Sequence, residues 1–175
     1  MQKKSAFIIV IIFFTLGFLL INQNKNLSRP PLIKGGEIQI PSDKADFGGY
    51  SNIQYVRIAR QNIKVELALT PEAQTQGLSG RSGIHDNEGM FFVFSRPGKY
   101  PFWMKDMNFP IDIIWIGEDR EIIYIQKDAR PGSYPEIYGP ADSAKNTKYV
   151  LEVVAGFSEK NNLQIGDQVE FLFSS

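Results

Sequence analysis

The chain has 175 residues, of which 43% are hydrophobic, 19 are basic, 19 are acidic and none is cysteine. This length and hydrophobic content predict one packed domain with an appendage, and they exclude a chain that is disordered throughout. The lack of cysteine excludes thiol catalysis, disulfides, iron–sulfur clusters, thiolate zinc sites and a lipoprotein anchor. The single histidine, His85, excludes a metal site built from two or three histidines of one chain.

The charges are unevenly placed along the chain. Five basic residues precede the first acidic residue, Glu37, so 14 basic and 19 acidic residues remain from position 35 onward, a net charge of −5. Surfaces that bind nucleic acid carry an excess of positive charge. The mildly acidic remainder of the chain therefore predicts no nucleic-acid partner.

An uncharged apolar run, Ser5–Ile21, follows Lys3 and Lys4. As a helix rising about 1.5 Å per residue it spans about 25 Å, within the lower limit for crossing a bilayer. The residues after it contain no pair of small side chains for signal-peptide cleavage. We predict an uncleaved signal-anchor over residues 1–22, with a cleaved signal peptide or a buried core helix as alternatives. Positive charge before the run places the domain on the extracytoplasmic side of the cytoplasmic membrane, as a single-pass protein.

Residues 23–51 are interpreted as a linker, because Pro30-Pro31, Gly35-Gly36 and Gly48-Gly49 interrupt any long element. Residues 52–175 are then the folded domain. Alternation of apolar and polar residues from Ile63 to Leu69 predicts a half-buried strand, preceded by a hairpin turn at Gln61-Asn62.

A short helix over residues 71–76 is predicted from its ends. Thr70 is a good N-cap, Pro71 suits the first helical position, and Gly77 suits the left-handed position after the helix. Polar loops are predicted over 79–88 and 128–146. Further strands are predicted over 89–94, 102–105, 111–116, 120–126, 149–154 and 168–173. The expected fold is mainly β, a β-rich α+β domain that is barrel- or sandwich-like, with about seven strands and one or two short helices.

Several short motifs occur in a fixed order between Val65 and Phe171, a stretch of about 107 residues. Through them the chain resembles the domain of unknown function 192 family, also called uncharacterised protein family 0127. The motifs are Glu66-Leu67-Ala68 with Thr70, Gly77-Leu78 with Arg81, Gly89–Phe94, Phe102–Lys105, Pro110–Ile114, Tyr149–Val153 with Gly156, and Gly166–Val169.

The resemblance implies a small β-rich domain, often preceded by an export signal, with no established biochemical activity. Two positions depart from the family pattern. Asp106-Met107 stands where the family usually has Asn-Thr, and Ser79-Gly80 stands where a bulky apolar residue usually follows Gly-Leu. A carboxylate at position 106 would change the charge of any family ligand site there.

Asp112 lies within the apolar run Ile111–Ile116, where an unpaired carboxylate would be costly to bury. Arg81 or Lys105 could be its partner. Trp103 beside Lys105 could form a platform for a sugar or another ring, or Trp103 could be a core residue. We expect Arg81, Trp103, Lys105 and Asp112 to line a ligand-binding cleft, with a structural ion pair or a loop-fixing hydrogen bond of Asp112 as the alternative.

The strand around Glu152 places that residue on the same side as Val150 and Val154, so we predict an outward, solvated carboxylate. If Glu152 instead faced Asp112, the two carboxylates could cleave a glycosidic bond. An envelope hydrolase that uses Asp112 with Glu152 or Asp106 is therefore one alternative function.

A second alternative is a Cu(I) site formed by His85, Met90, Met104 and Met107, since thioether and imidazole ligands select Cu(I). Met90 and Met104 also fit a core, and His85 also fits an uninvolved loop residue. The leading hypothesis is a non-enzymatic, membrane-anchored envelope domain that binds a small ligand or a protein partner. It carries no cofactor.

Overall fold

The computed structural model describes residues 47–141 and 144–174. The chain divides into two units, Met1–Gly35 and Gly36–Ser175, and all the described residues belong to the second. The predicted signal-anchor and residues 23–46 of the predicted linker lie outside the described residues. Across residues 47–141 and 144–174, no helix is both long enough and apolar enough to cross a membrane.

The described residues form seven β-strands, two short α-helices and one 3-10 turn, so the fold is mainly β. In chain order they are β1 (Ile53–Ile58), β2 (Gln61–Ala68), α1 (Pro71–Gln76), β3 (Glu88–Gly98), β4 (Ile111–Gly117), β5 (Ile122–Ala129), the 3-10 turn (Pro131–Ser133), β6 (Thr147–Val154), α2 (Phe157–Lys160) and β7 (Glu170–Phe173).

All seven strands belong to one sheet, in the order β5-β4-β6-β3-β2-β1-β7. Neighbours are antiparallel except β2 and β3, which run parallel and are joined by a crossover that contains α1. The segment just before edge strand β7 contacts the start of the opposite edge strand, β5. The Ile122 N–H donates to the Asp167 carbonyl at 2.9 Å, and the Gly166 N–H donates to the Ile122 carbonyl at 2.8 Å. The sheet therefore curls and closes at this end in the manner of a small barrel.

Apolar clusters cover both sides of the central strands β3, β4 and β6. The inner cluster lies within the curl and includes Phe91, Ile114 and Leu151. The outer cluster includes Trp115 from β4 and is covered by Leu78, which follows α1, and by residues of the segment between β3 and β4. Burial on both faces explains why these strands are nearly continuous apolar runs rather than alternating ones.

Helix α1 has the bounds predicted from its ends, although Gly77 combines its positive φ with a ψ of −136°, which lies outside the predicted left-handed conformation. The Thr70 hydroxyl oxygen accepts from the Ala73 N–H at 3.2 Å, and Gly77 has a φ of +50° while its N–H donates to the Ala73 carbonyl. This geometry satisfies one free amide at the start of the helix and one carbonyl at its end.

Two local predictions were wrong. The β1–β2 turn is Ala59-Arg60, with φ values of +46° and +65°, and Gln61 already begins β2. Neither turn residue is the Asn or Gly that marks such turns, so the local signal was missing. The strand expected over 102–105 is reduced to a single bridge between Phe102 and Tyr138.

Candidate functional site

Asp112 is fully buried, and its carboxylate is satisfied by backbone groups alone. Its Oδ1 accepts from the Asp128 N–H at 2.9 Å and the Gly156 N–H at 3.2 Å, and its Oδ2 accepts from the Ser158 N–H at 2.8 Å. Three charge-assisted hydrogen bonds offset the cost of burying the charge without a cation. Asp112 therefore fixes the end of β5 and the segment that enters α2, which is the loop-fixing role considered from the sequence.

Beside that segment lies a cleft of 310 Å³, at the end of the sheet where β2 and β3 begin and β6 ends. Its apolar side chains are those of Ile63, Val154, Ala155 and Phe157, and its polar side chains come from three separate parts of the chain. The six polar residues are Gln61, Asn62, Asp86, Asn87, Lys160 and Asn161. A volume of about 300 Å³ lies at the lower end of the range for ligand sites.

The two charged residues of the cleft, Asp86 and Lys160, are both exposed and have no partner among residues 47–141 and 144–174. Within the described part of the chain, neither side chain takes part in a hydrogen bond or an ion pair, and they do not pair with each other. Asn62 and Asn161, in contrast, are engaged, since Asn62 accepts from the Arg57 side chain at 2.8 Å and Asn161 donates to a backbone carbonyl. The cleft thus offers opposite charges that remain available to a ligand.

Arg81 is not the partner of Asp112. Its guanidinium forms a two-pronged ion pair with Glu66, with a distance of 2.8 Å between Nη2 and Oε2. Hydrogen bonding to Arg81 holds the pKa of the Glu66 carboxyl below its usual value. The pair ties the loop after α1 to the middle of β2.

The loop that carries Arg81 is also tied to the segment before β4. The Ser79 hydroxyl donates to the Lys105 carbonyl at 3.0 Å, the Gly80 N–H donates to the Asp106 carbonyl at 2.8 Å, and the Asn108 side chain donates to the Arg81 carbonyl at 2.9 Å. Asp106 has a φ of +57°, which asparagine and aspartate tolerate better than most residues. The family's usual Asn at this position therefore has a backbone explanation.

Among the described residues, neither Trp103 nor Lys105 forms a hydrogen bond or an ion pair with Asp112. The Trp103 ring, partly exposed, meets the ring of Tyr134 edge to face, with 6.2 Å between centroids and an interplanar angle of 82°. The 310 Å³ cleft is lined by none of the four predicted residues, Arg81, Trp103, Lys105 and Asp112. The structure thus places the four predicted residues in separate contacts and brings a different set of polar side chains together.

Glu152 is buried rather than outward and solvated, so that prediction was wrong. It pairs in register with Met90 on β3 and Ile113 on β4, on the outer face of the sheet, and that face is covered by the outer cluster. Its Oε2 has no hydrogen-bond partner among the described residues. Burial raises the pKa of Glu152 to about 8, and the positive charge of Arg81 opposes part of this rise.

The positions of Glu152 and Asp112 bear on the hydrolase alternative. In the β4–β6 pairing Asp112 lies opposite Val153 and Glu152 lies opposite Ile113, and adjacent positions on paired strands point to opposite faces. The two carboxylates therefore face opposite sides of the sheet. Glycoside hydrolysis needs two carboxyl groups on either side of one bond, which this arrangement does not provide.

The residues of the predicted Cu(I) set are divided between core and surface. Met90, Met104 and Met107 are buried in the outer cluster, while His85 is exposed in the loop before β3. No group of three or more His, Asp or Glu residues that could hold a metal ion occurs in the described ranges. The three methionines pack as flexible apolar side chains around the covered face.

These observations define a class: a mainly β domain with a curled seven-stranded sheet, a short crossover helix and a small polar cleft. The chain belongs to the domain of unknown function 192 family, described as "Uncharacterized ACR", whose model matches residues 54–171. No curated protein matches it.

Two solved structures share the fold. A Novosphingobium aromaticivorans protein of unknown function is 33% identical, with a TM-score of 0.63, and the match covers 67% of this chain and 84% of that one. A Sinorhizobium meliloti protein described as a "putative transcription regulator" is 32% identical, with a TM-score of 0.59, and the match covers 63% of this chain and 83% of that one.

Proposed function

We propose that this protein is a membrane-anchored domain of the cell envelope that binds a small polar ligand and does not transform it. The observation that supports this most directly is the 310 Å³ cleft with two unpaired opposite charges, Asp86 and Lys160. Among the described residues the lining contains one carboxylate and no serine or histidine, so it lacks a nucleophile–base pair of that kind.

The Sinorhizobium meliloti relative is described as a "putative transcription regulator", a role that usually requires DNA binding. The charge of this chain does not favour DNA binding. From position 35 onward the chain carries a net charge of −5, and DNA-binding domains neutralise phosphates with excess Lys and Arg. A small ligand or an envelope partner fits the charge balance better than a nucleic acid.

Ligand binding is tested by thermal unfolding of the full-length chain with representative small polar molecules: hexoses, polyols, amino acids, nucleosides and inorganic phosphate. A ligand that binds only the folded state should raise the midpoint by a few degrees at saturating concentration. Gln61→Trp places a large ring at the cleft and should abolish this shift. Lys64→Trp, on the same strand but outside the lining, should retain it. If no compound shifts the wild-type midpoint, or if both variants respond equally, the cleft is not a binding site.

The anchor is tested by fractionating cells that express the full-length chain. The protein should stay with the membranes after an alkaline wash and be digested by protease added outside spheroplasts. Ile11→Arg with Phe14→Arg should release it, because each charge at the centre of a membrane helix costs about 3 kcal/mol. A wild-type chain that the wash extracts, or a soluble form lacking residues 1–22, would contradict an uncleaved anchor.

A further inference from the structure

The two unpaired charges of the cleft come from different walls. Asp86 belongs to the loop that leads into β3, whereas Lys160 is the last residue of α2. Both line the same 310 Å³ space, and no ion pair joins them within the described residues. An opposite pair that faces one cavity without touching leaves room for a molecule between its members.

The segment that carries Lys160, residues 156–160, is held in place by hydrogen bonds and by buried side chains. Asp112 accepts from the Gly156 and Ser158 N–H groups, and the Lys160 N–H donates to the Gly156 carbonyl at 2.9 Å. Phe157 and Ser158 are buried, so α2 is anchored on its inner side. The backbone that positions the lysine is therefore fixed before any ligand arrives, which lowers the entropic cost of binding.

From this arrangement we infer that the ligand of the cleft is a zwitterion of the α-amino acid type, with its ammonium group at Asp86 and its carboxylate at Lys160. This inference rests on the proposed ligand-binding function and names its ligand class. A purely anionic ligand would be repelled by Asp86, and a purely cationic one by Lys160. The side chains of Gln61 and Asn87, which have no partner among the described residues, add neutral donors and acceptors to the same lining.

The small volume restricts the rest of the ligand. Sites for drug-sized molecules reach about 1,000 Å³, so 310 Å³ suits a free amino acid or a whole dipeptide. These two sources share the same ammonium and carboxylate chemistry. Comparing alanine with alanylalanine tells them apart, since the dipeptide separates its two charges by an additional peptide unit.

The test is isothermal titration calorimetry of the full-length chain with alanine, alanylalanine, N-acetylalanine and alaninamide. At least one zwitterion should bind, and each blocked compound should bind about tenfold more weakly than alanine, because it lacks one charged contact. Lys160→Met and Asp86→Asn should each cost about tenfold for the zwitterion. Lys127→Met, an exposed lysine on β5 outside the lining, should cost nothing.

Combining the variants with the blocked compounds shows which charged group of the ligand contacts Asp86 and which contacts Lys160. Asp86→Asn should not weaken N-acetylalanine further, and Lys160→Met should not weaken alaninamide further, since the partner group is already absent. Equal binding of blocked and free compounds, or zwitterion binding that both variants leave intact, overturns the inference. If a hexose or polyol binds and Gln61→Trp abolishes it while no zwitterion binds, the ligand class is wrong and the binding function stands. If nothing binds, both fail.

Discussion

Asp112→Ala is expected to lower the free energy of unfolding by about 3–5 kcal/mol, one of the two largest effects expected in this chain. The substitution removes the acceptor of three backbone N–H groups, those of Asp128, Gly156 and Ser158, at a fully buried position. Each donor left without a partner away from water costs about 1–3 kcal/mol. Urea unfolding of the full-length chain measures the loss.

Asp112→Asn should have an intermediate effect. Asparagine can keep one oxygen toward Asp128 and Gly156, but it then presents an N–H₂ group to the Ser158 N–H, where two donors oppose each other. Asp128→Asn is the matched control, because that carboxylate is exposed and, within the described ranges, pairs with the neighbouring Arg130 alone. It should change stability by less than about 1 kcal/mol. If Asp112→Ala costs no more than this control, the three hydrogen bonds do not hold the fold.

The comparison also tests the connection between core and cleft. Asp112 does not itself line the cleft, yet its carboxylate holds the Gly156 and Ser158 N–H groups of the segment that carries Lys160. A folded Asp112→Asn protein should therefore bind the cleft ligand more weakly, although the charges of the cleft are unchanged. Asp112 is a positioning residue in this sense.

Much of the fold follows from local sequence. The period-two pattern of β2 and the capping residues of α1 each depend on neighbours within a few positions, and both elements are present as predicted. The parallel pairing of β2 with β3 and the contact between the two sheet edges depend on residues distant in the chain. No local pattern specifies such pairing, so neither was predicted.

The candidate site was less predictable than the fold, for related reasons. Alternation placed Glu152 correctly with Val150, but it could not show that the face they share is covered by the outer cluster. The sequence left open an ion pair or a loop-fixing hydrogen bond for Asp112, and it could not show that three backbone N–H groups satisfy the carboxylate. Asp86 and Lys160 belong to a polar loop and a one-turn helix, and only the topology brings them to one cleft.

The second large effect concerns Glu152, whose pKa burial raises to about 8 from an ordinary value of 4.5. Below pH 4.5 both the folded and unfolded chains hold this proton, and its contribution to stability is fully present. Between pH 4.5 and 8 the unfolded chain releases the proton and the folded chain keeps it, so stability falls by up to about 1.4 kcal/mol per pH unit. Above pH 8 the loss is complete.

Glu152→Gln should remove this loss, because glutamine keeps the shape of the neutral acid and does not ionise. The variant should match wild type near pH 4 and exceed it by several kcal/mol near pH 8.5, as urea unfolding measured across that range would show. A parallel pH dependence of the two proteins would mean that Glu152 does not stay protonated in the folded state.

Substitutions at Arg81 test whether Glu152 is the group whose ionisation lowers stability. It is the charged group that acts on Glu152, whose cross-strand neighbours Met90 and Ile113 are uncharged. Because the positive charge of Arg81 holds the pKa of Glu152 down, Arg81→Met should move the loss of stability to higher pH. Glu66→Gln leaves Arg81 in place and should move it far less. If Arg81→Met moves the pH range of the stability loss and Glu66→Gln does not, the titrating group is Glu152. Its buried carboxyl then lowers stability at neutral pH, a cost that glutamine at this position would avoid.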